Sequence, residues 1–320
     1  RGARHLNAPI RLSLLGKPLA SKPLIKAARV TKIIVNNLKK KYSASPLGQR
    51  PFHLLHPHYP LGSGRLLAEA AAVTKMSDER YCVSLAQGLE DVREAQRLRF
   101  QVFQQEYGAR FVDSGAGLDE DRFDPHCDHL LVRDQATQDV VGTYRILVPQ
   151  QARLLGGYYS ESEFDISSLS GLRNDMVELG RSCVHPDHRN GAVIMMLWSG
   201  IARYMRFHGF RYLMGCASVS MRDGGQNAKA IWESLSEKSL AEAELRVTPK
   251  NRLPMEKIAA AEQPQEPPLI KGYVRVGAKA CGEPSWDPDF NTADFMMLLA
   301  IDEMTPRYAR HFGLIPGQSL

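Results

Sequence analysis

Two charged residues lie three positions apart inside an apolar segment, residues 176–184 (MVELGRSCV). Glu178 could take a proton from an amine, and Arg181 could anchor a carboxylate or a phosphate. In a strand, residues three apart face opposite sides, so both side chains reach one site only if the strand bulges or one of them faces a loop. The alternative is a structural ion pair on a half-exposed strand, and the spacing leaves both interpretations open.

A short basic loop follows this segment. His188, Arg189 and Gly191 stand between Pro186 and the apolar residues 192–207. A strand, a glycine-containing basic loop and a helix together present backbone N–H groups and a helix dipole to an anion. The motif is short, but its context indicates a phosphate-tethered substrate, and the neighbouring glutamate indicates acyl or phosphoryl transfer.

A second group of polar residues lies in an acid-rich loop, residues 119–128 (DEDRFDPHCD). Asp121 and Asp124 in this loop could bind a cationic amine, or they could be solvated acids of a turn. Histidines also cluster here and near residue 188, but neither HCDH nor HPDH is a zinc signature. We therefore expect no metal site.

The apolar periodicity predicts the elements that position these residues. Helices are predicted over residues 90–105, 192–207 and 228–243, with a possible short one around Glu161. Strands are predicted over residues 81–86, 129–134, 139–148, 176–184, 210–219, 272–281 and 294–301, and residues 108–129 are predicted to form a loop. This order predicts an α+β fold in which helices flank a largely antiparallel sheet.

Charge is distributed unevenly along the 320 residues. Residues 1–80 hold 15 Lys and Arg against three acids, although the whole chain carries a net charge of only +6. No run approaches the roughly 18 apolar residues of a membrane span. The five cysteines are odd in number and form no CxxC pair, which indicates reduced thiols and a cytoplasmic location.

The basic N-terminal region contains a candidate amphipathic helix, residues 24–41. Such a helix could bind an anionic membrane surface, pack its apolar side onto the main domain, or belong to a transit peptide. The region lacks the interleaved aromatics of a nucleic-acid site, so nucleic acid is not a predicted partner. We predict a basic N-terminal arm and linker over residues 1–66 and one domain over residues 67–320.

Four segments together resemble one known family. RLRFQVFQQEYG, DEDRFDPHCDHLLVRD, VVGTYRILVP and ELGRSCVHPDHRNG are similar to the hemolysin-like branch of the GNAT N-acyltransferases. That branch includes the bacterial L-ornithine N-acyltransferases and is related to the acyl-homoserine-lactone synthases. The C-terminal KGYVRVGAKACGEPSWDPDFNTADFMMLL resembles the hemolysin-like branch alone. The resemblance spans about residues 80–313 and implies a GNAT-like fold.

The resemblance implies roles for individual residues. Glu178 would deprotonate the acceptor amine, while Arg145 and Arg181 would hold a substrate carboxylate or shape the site. Asp121 and Asp124 would attract a cationic side chain or order the acid loop. Backbone N–H groups after Arg181 would polarise a thioester carbonyl. The other matched positions, Arg99 and Phe103, would belong to the substrate site.

The phosphate loop departs from the usual GNAT pattern of Gln/Arg-x-x-Gly-x-Gly/Ala. His188 occupies the first position, Gly191 matches the first glycine and Val193 replaces the last small residue. An acyl carrier protein presents a single phosphopantetheine phosphate and needs less of a cradle than coenzyme A. We therefore expect acyl carrier protein as the donor, with His188, Arg189 and Gly191 facing its phosphate, acyl-CoA as a possible donor, and no permanently bound cofactor.

The resemblance predicts transfer of a 3-hydroxyacyl group from acyl carrier protein to the α-amine of an amino acid, with L-ornithine as the expected acceptor. Three alternatives stay open: acylation of another amine, acetyl transfer from acetyl-CoA, and a non-catalytic membrane-binding role. The basic arm predicts peripheral attachment to the inner face of the bacterial cytoplasmic membrane.

Overall fold

A computed structural model describes residues 74–107, 117–312 and 314. The predicted helix over residues 24–41 and the predicted domain boundary at residues 66 and 67 lie outside these ranges. The strands are β1 (Met76–Ser77), β2 (Tyr81–Leu85), β3 (Asp128–Asp134), β4 (Val140–Leu147), β5 (Phe164–Asp165), β6 (Met176–Val184), β7 (Tyr212–Ser220), β8 (Thr248–Pro249), β9 (Lys279–Ala280), β10 (Ser285–Asp287) and β11 (Thr292–Ala300). The α-helices are α1 (Leu89–Tyr107), α2 (Pro149–Leu154), α3 (Ala192–His208), α4 (Gln226–Lys238), α5 (Pro268–Val276) and α6 (Pro306–His311).

Nine of the described strands form one sheet. Its order is β1-β2-β3-β4-β6-β7-β11-β10, and β9 pairs with β11 outside this path. Every neighbouring pair is antiparallel except β6 and β7, which run parallel. The predicted α+β architecture with a largely antiparallel sheet is therefore confirmed.

Helices cover both faces of the sheet. Leu130 and Val132 of β3 pack in the same apolar cluster as the residues of α3, whereas Leu131 packs with residues of α1. Because successive side chains of a strand point to opposite faces, this alternation places α1 and α3 on opposite sides. The last turns of α1 and the first turns of α3 line the candidate site, so the two helices that reach it are held by separate cores.

Close packing holds the start of α3 against β4. A Cβ atom added at Gly142 would lie 2.4 Å from Cγ1 of Val193, which is fully buried. Only glycine allows the helix to approach the strand this closely. The basic loop before α3 is thereby placed beside β4 and β6.

One predicted strand was wrong. Residues 268–276 form helix α5, and only Lys279–Ala280 of the predicted strand over 272–281 is extended. Pro268 stands at the first helical position, where proline is favoured, and Gly277 ends the helix with a φ of +108°. These two signals outweigh the alternating valines, and the helix buries Ile270 and Val276.

The remaining differences are smaller. The predicted helix over residues 228–243 ends at Lys238, because Leu240 forms a bridge to Ala280 of β9. The acid loop contains a 3₁₀ turn at Asp124–His126, and the predicted short helix around Glu161 is a 3₁₀ helix, Tyr159–Ser162. Within the ranges that the structure describes, no helix is long and apolar enough to cross a membrane.

Candidate active site

Strand β6 carries a bulge at the position of Arg181. Thr143 of β4 pairs with Cys183, and Arg145 pairs with Gly180, so one residue of β4 lies opposite two of β6. Arg181 takes the left-handed conformation, with a φ of +52°. The condition under which Glu178 and Arg181 could share a site is therefore met, and both side chains line one cavity.

The cavity begins where two parallel strands separate. The pairing of β6 with β7 covers only Met176 to Glu178 on β6, and Glu178 pairs with Met214. A Cβ atom at Gly215, the next residue of β7, would lie 2.2 Å from the carbonyl oxygen of Leu179. Glycine at this position therefore lets the two backbones meet just before they diverge. Beyond this point, residues 179–184 of β6 line the cavity.

The carboxylate of Glu178 is buried and held by one short turn. Oε1 accepts hydrogen bonds from the Ser160 N–H at 2.7 Å and from the Ser160 Oγ at 2.5 Å, while Oε2 accepts one from the Tyr159 N–H at 2.7 Å. Burial raises the pKa of Glu178, and the hydrogen bonds from Ser160 and Tyr159 oppose that rise. A carboxylate with a raised pKa is a stronger base than an exposed glutamate.

Three arginines and three aspartates form a largely buried network, which we call the arginine–aspartate network: Arg99, Arg145, Arg181, Asp119, Asp121 and Asp124. Arg99 binds Asp119 and Asp124 through contacts of 2.8 Å each. Arg145 Nη1 lies 2.7 Å from Asp121 Oδ1 and 3.0 Å from Asp124 Oδ1. Arg181 reaches Asp119 and Asp121 at 3.1 Å each. The formal charges of the network cancel.

The arginines keep both central aspartates ionised. Burial opposes ionisation of Asp124, but the charges of Arg99 and Arg145 outweigh it and lower its pKa. Burial likewise opposes ionisation of Asp121, whose pKa Arg145 and Arg181 lower. Beside them, burial lowers the pKa of His129 to about 4, so this residue is neutral at pH 7.

Only part of the network reaches the cavity. Arg145 and Arg181 line it, whereas Arg99 and the three aspartates do not. Arg99 is wholly buried and Asp124 is 3% exposed. The sequence prediction thus names residues that the fold does bring together, but Arg99, Asp121 and Asp124 lie behind the cavity wall. Phe103 lies in the wall itself and packs edge-on against Phe290.

The basic loop borders the same cavity. His188, Arg189 and Gly191 line it, and Gly191, with a φ of +89°, caps the start of α3. Arg189 contacts Glu106 and donates to the Val184 carbonyl through Nε at 3.1 Å and Nη2 at 3.0 Å. His188 Nδ1 lies 3.1 Å from the hydroxyl of Tyr81. Both side chains are held at the mouth rather than free in solvent.

The cavity has a volume of about 550 Å³ and a mixed lining. One part is apolar, with side chains from α3, from α5 and from α6 and the residue after it, among them Ile194, Trp198, Leu269 and Phe312. The polar part contains Glu178, the cationic wall formed by Arg145 and Arg181, and two acids of the last strands. A cavity that is mostly apolar with a few convergent polar groups is typical of a substrate site.

Sequence reasoning missed several residues of this site. Ser160, Asp119, Asp287 and Asp294 were not selected, although the first two bind predicted site residues and the last two line the cavity. No local pattern marks Ser160. Asp294, however, interrupts an otherwise apolar strand, and a charged residue in a buried strand is itself a signal.

The sheet has a single parallel pair that opens beside Glu178, and the helix that follows starts at a basic glycine loop, an arrangement that fits the GNAT-like fold expected from the sequence. Residues 98–199 match the acetyltransferase (GNAT) domain family. Among solved structures, the CoA-dependent acyl-homoserine lactone synthase BjaI, solved with SAM and isopentyl-CoA, is similar with a TM-score of 0.41 and 15% identity. That similarity covers 72% of this chain and 85% of BjaI.

Curated relatives define the family more narrowly. The chain is 34% identical over 252 residues to the L-ornithine N(alpha)-acyltransferase of Brucella abortus, covering 72% of this chain and 88% of that protein. It is 34% identical over 249 residues to the enzyme of the same name from Rhodobacter capsulatus, covering 72% and 94%. The chain belongs to the L-ornithine N(alpha)-acyltransferase family. The resemblance drawn from the sequence is confirmed.

Proposed function

We propose that this protein transfers an acyl group from a thioester to the α-amine of L-ornithine. Family membership supports the acceptor, since the curated relatives carry that activity in their names. The observation that carries the proposal is the position of Glu178. Its buried carboxylate lies at the last pair of β6 and β7, where the two strands open into the cavity.

The reaction needs positioning and proton removal more than activation, because a thioester is already reactive. Glu178, directly or through a water molecule, takes a proton from the α-ammonium, and the freed amine attacks the thioester carbonyl carbon. Backbone N–H groups of β6 beyond Glu178 stabilise the resulting oxyanion. The C–S bond then breaks, the amide forms, the thiol leaves with a proton and one further proton passes to solvent.

The cationic wall has a defined part in this mechanism. Arg181 binds the α-carboxylate of the acceptor, since it lines the cavity and its Nη1 donates no hydrogen bond to the described residues. Arg145 adds a second positive charge to the same wall of the cavity. Arg99, Asp121 and Asp124 act as positioning residues for Arg145 and Arg181. The resemblance implied that the two aspartates either attract a cationic side chain or order the acid loop, and this proposal gives them the second role. Phe103 shapes the cavity.

We propose acyl carrier protein as the donor. His188, Arg189 and the N–H groups at the start of α3 contact the phosphopantetheine phosphate, while the apolar part of the cavity receives the acyl chain. Arg189 is 45% exposed at the mouth, where an acidic carrier protein would approach. Acyl-CoA is the alternative donor, and its pyrophosphate would need a larger cradle than the single phosphate of a carrier protein.

The composition of the N-terminal arm supports peripheral binding to an anionic membrane. Residues 24–41 contain several Lys and Arg and no acids, and the acylated product is itself an amphiphile. Deletion of residues 1–66 should weaken binding to anionic vesicles in low salt without changing turnover of a soluble donor. Equal vesicle binding by the full chain and the deletion variant would refute the membrane role.

The central test is reconstitution with 3-hydroxypalmitoyl carrier protein and L-ornithine, followed by mass spectrometry of the product. We expect N-acylornithine from the full chain and a rate roughly 10²–10⁴-fold lower from Glu178→Gln. Glu233→Gln, a change at an exposed position of α4, serves as the matched control. Efficient acetylation with acetyl-CoA and no transfer from the carrier protein would refute the proposed donor.

A further inference from the structure

Two carboxylates form an acidic wall in the polar part of the cavity. Asp294 of β11 is 3% exposed and Asp287 of β10 is 6% exposed, and both line the cavity. Asp294 pairs with Ser285 and Asp287 pairs with Thr292, so both acids project from the same face of the sheet as diagonal neighbours. Neither residue belongs to the arginine–aspartate network.

Every hydrogen bond that the described residues donate to the acidic wall comes from a neutral group. Asp294 Oδ1 accepts from the Thr292 Oγ1 at 2.9 Å. Asp287 Oδ1 accepts from the N–H groups of Asp289 at 2.8 Å and Phe290 at 3.0 Å. No cationic side chain of the described residues forms an ion pair with either acid. A buried carboxylate without a cation is costly, and the open side of both groups is the cavity.

Asp294 differs from Asp121 and Asp124 of the arginine–aspartate network in its response to burial. Burial, reinforced by the negative charge of Asp287, raises the pKa of Asp294 to about 7, although a hydrogen bond from Ser218 opposes the rise. Nearby, Glu163 accepts a hydrogen bond from the Ser285 Oγ at 3.1 Å, and burial raises its pKa as well. The network aspartates are neutralised from within the protein, whereas the acidic wall lacks its counter-charge.

Tyr159 interacts with charged residues of both the cationic wall and the acidic wall. The Arg181 guanidinium lies 5.2 Å from the centre of the Tyr159 ring. Burial raises the pKa of Tyr159, Arg181 lowers it, and Asp294 and Asp287 raise it further, so the phenol lies within Coulombic range of both walls. The backbone N–H of Tyr159 also binds Glu178. The cavity therefore presents a cation, a base and the two carboxyl groups of the acidic wall around one residue.

We propose that Asp294 and Asp287 form the subsite for the side-chain ammonium of the acceptor. The acceptor class is then an amino acid with a primary amine at the end of a short side chain. Its α-carboxylate meets Arg181, its α-amine meets Glu178 and its second ammonium supplies the counter-charge of the acidic wall. This assignment rests on the proposed function and adds to it the residues that select the acceptor.

The test compares two acceptors that differ only in the second amine. L-norvaline has the carbon skeleton of L-ornithine without the δ-amine. With the full chain and acyl carrier protein thioester, Asp294→Asn and Asp287→Asn should each lower kcat/KM for L-ornithine roughly 30- to 1000-fold. They should leave kcat/KM for L-norvaline within a few-fold of the wild-type value, because the α-amine chemistry is unchanged.

Controls separate this selectivity from a loss of fold. Asp289→Asn alters an exposed acid of the same turn and should keep the wild-type preference for ornithine. Asp294→Glu keeps the carboxylate that Asp294→Asn removes, and it should retain part of the preference for ornithine. If Asp294→Asn has a lowered melting temperature, two other measurements test the proposal. One is the kinetics of Asp287→Asn, and the other is the increase in wild-type melting temperature caused by L-ornithine compared with that caused by L-norvaline. Equal increases with the two amino acids would overturn the proposal.

The two failures are distinguishable. If the wild type acylates ornithine but the asparagine variants lower turnover of both acceptors in parallel, the subsite assignment is wrong while the proposed function stands. If the wild type acylates neither acceptor with any thioester, the proposed function is wrong and the assignment falls with it.

Discussion

Asp124 provides a direct test of whether the acid loop binds substrate or supports the site. Its two carboxylate oxygens accept hydrogen bonds from Arg99 Nη1 at 3.1 Å and Nη2 at 2.8 Å and from Arg145 Nη1 at 3.0 Å. They also accept hydrogen bonds from the Gln96 side chain at 3.0 Å and from the backbone N–H of Asp121 at 3.2 Å. Asparagine would turn an NH₂ group towards some of these donors and remove the charge. Both buried arginines would then lose a counter-ion.

The expected cost follows from the burial of the pair. Removing one partner of a buried ion pair destabilises a protein by about 3–5 kcal/mol. At roughly 2–4 °C per kcal/mol for a domain of this size, the melting temperature of Asp124→Asn should fall by about 6–20 °C. Asp187→Asn, at an 85% exposed position, should melt like the wild type.

The sign of the pH dependence gives a second readout. Because the folded-state pKa of Asp124 is lowered from its ordinary 3.8, its contribution to stability is present above that pH and is lost as the pH falls below it. The difference in melting temperature between wild type and variant should therefore be constant at pH 5–8 and shrink in stronger acid. An unchanged melting temperature combined with a raised KM for ornithine would refute the structural role and restore substrate binding.

Three further changes test separate parts of the site. With L-norvaline, an acceptor that does not need Asp294, Glu178→Gln should abolish the acidic limb of the kcat/KM profile. In the wild type that limb lies above pH 4.5, because burial raises the pKa of Glu178 and activity increases as the pH rises through it. An identical limb in the variant would remove Glu178 from the role of base. Gly215→Ala places a Cβ 2.2 Å from the Leu179 carbonyl and should cost about 1–3 kcal/mol of stability as well as activity, whereas Gly171→Ala, in open space, should not. Arg189→Ala should raise KM for the carrier-protein donor about tenfold at low salt and leave KM for ornithine unchanged; a salt-independent effect would contradict a phosphate contact.

The strongly periodic part of the sequence predicted the fold well. Strand β6 and helices α1 and α3 lie within three residues of their predicted bounds, because each has a long apolar face that only one secondary structure can bury. Helix α5 was misread because its valines also alternate with period two. Its start and end are marked by Pro268 and Gly277, and capping signals decide such short segments better than periodicity does.

The residues of the candidate site were predictable in part, but their contacts were not. The bulge that turns Arg181 into the cavity could be stated only as a condition, because the register of β4 against β6 depends on the whole sheet. The partners of Glu178 come from a 3₁₀ helix 18 residues upstream, at Ser160. No sequence spacing relates such a turn to the strand that it contacts.

The assignment of the charges shows most clearly what sequence alone omits. Asp124 and Asp294 are both aspartates in a segment similar to the same family, and composition makes each a candidate for binding a cationic amine. Two arginines placed by α1 and β4 neutralise Asp124, whereas Asp294 faces a cavity with no arginine of the described residues paired to it. A carboxylate that no cation of the protein has neutralised keeps its charge available for a ligand's cation. Which acids remain unneutralised is a property of the fold, and here it moves the amine subsite from the acid loop to the last two strands.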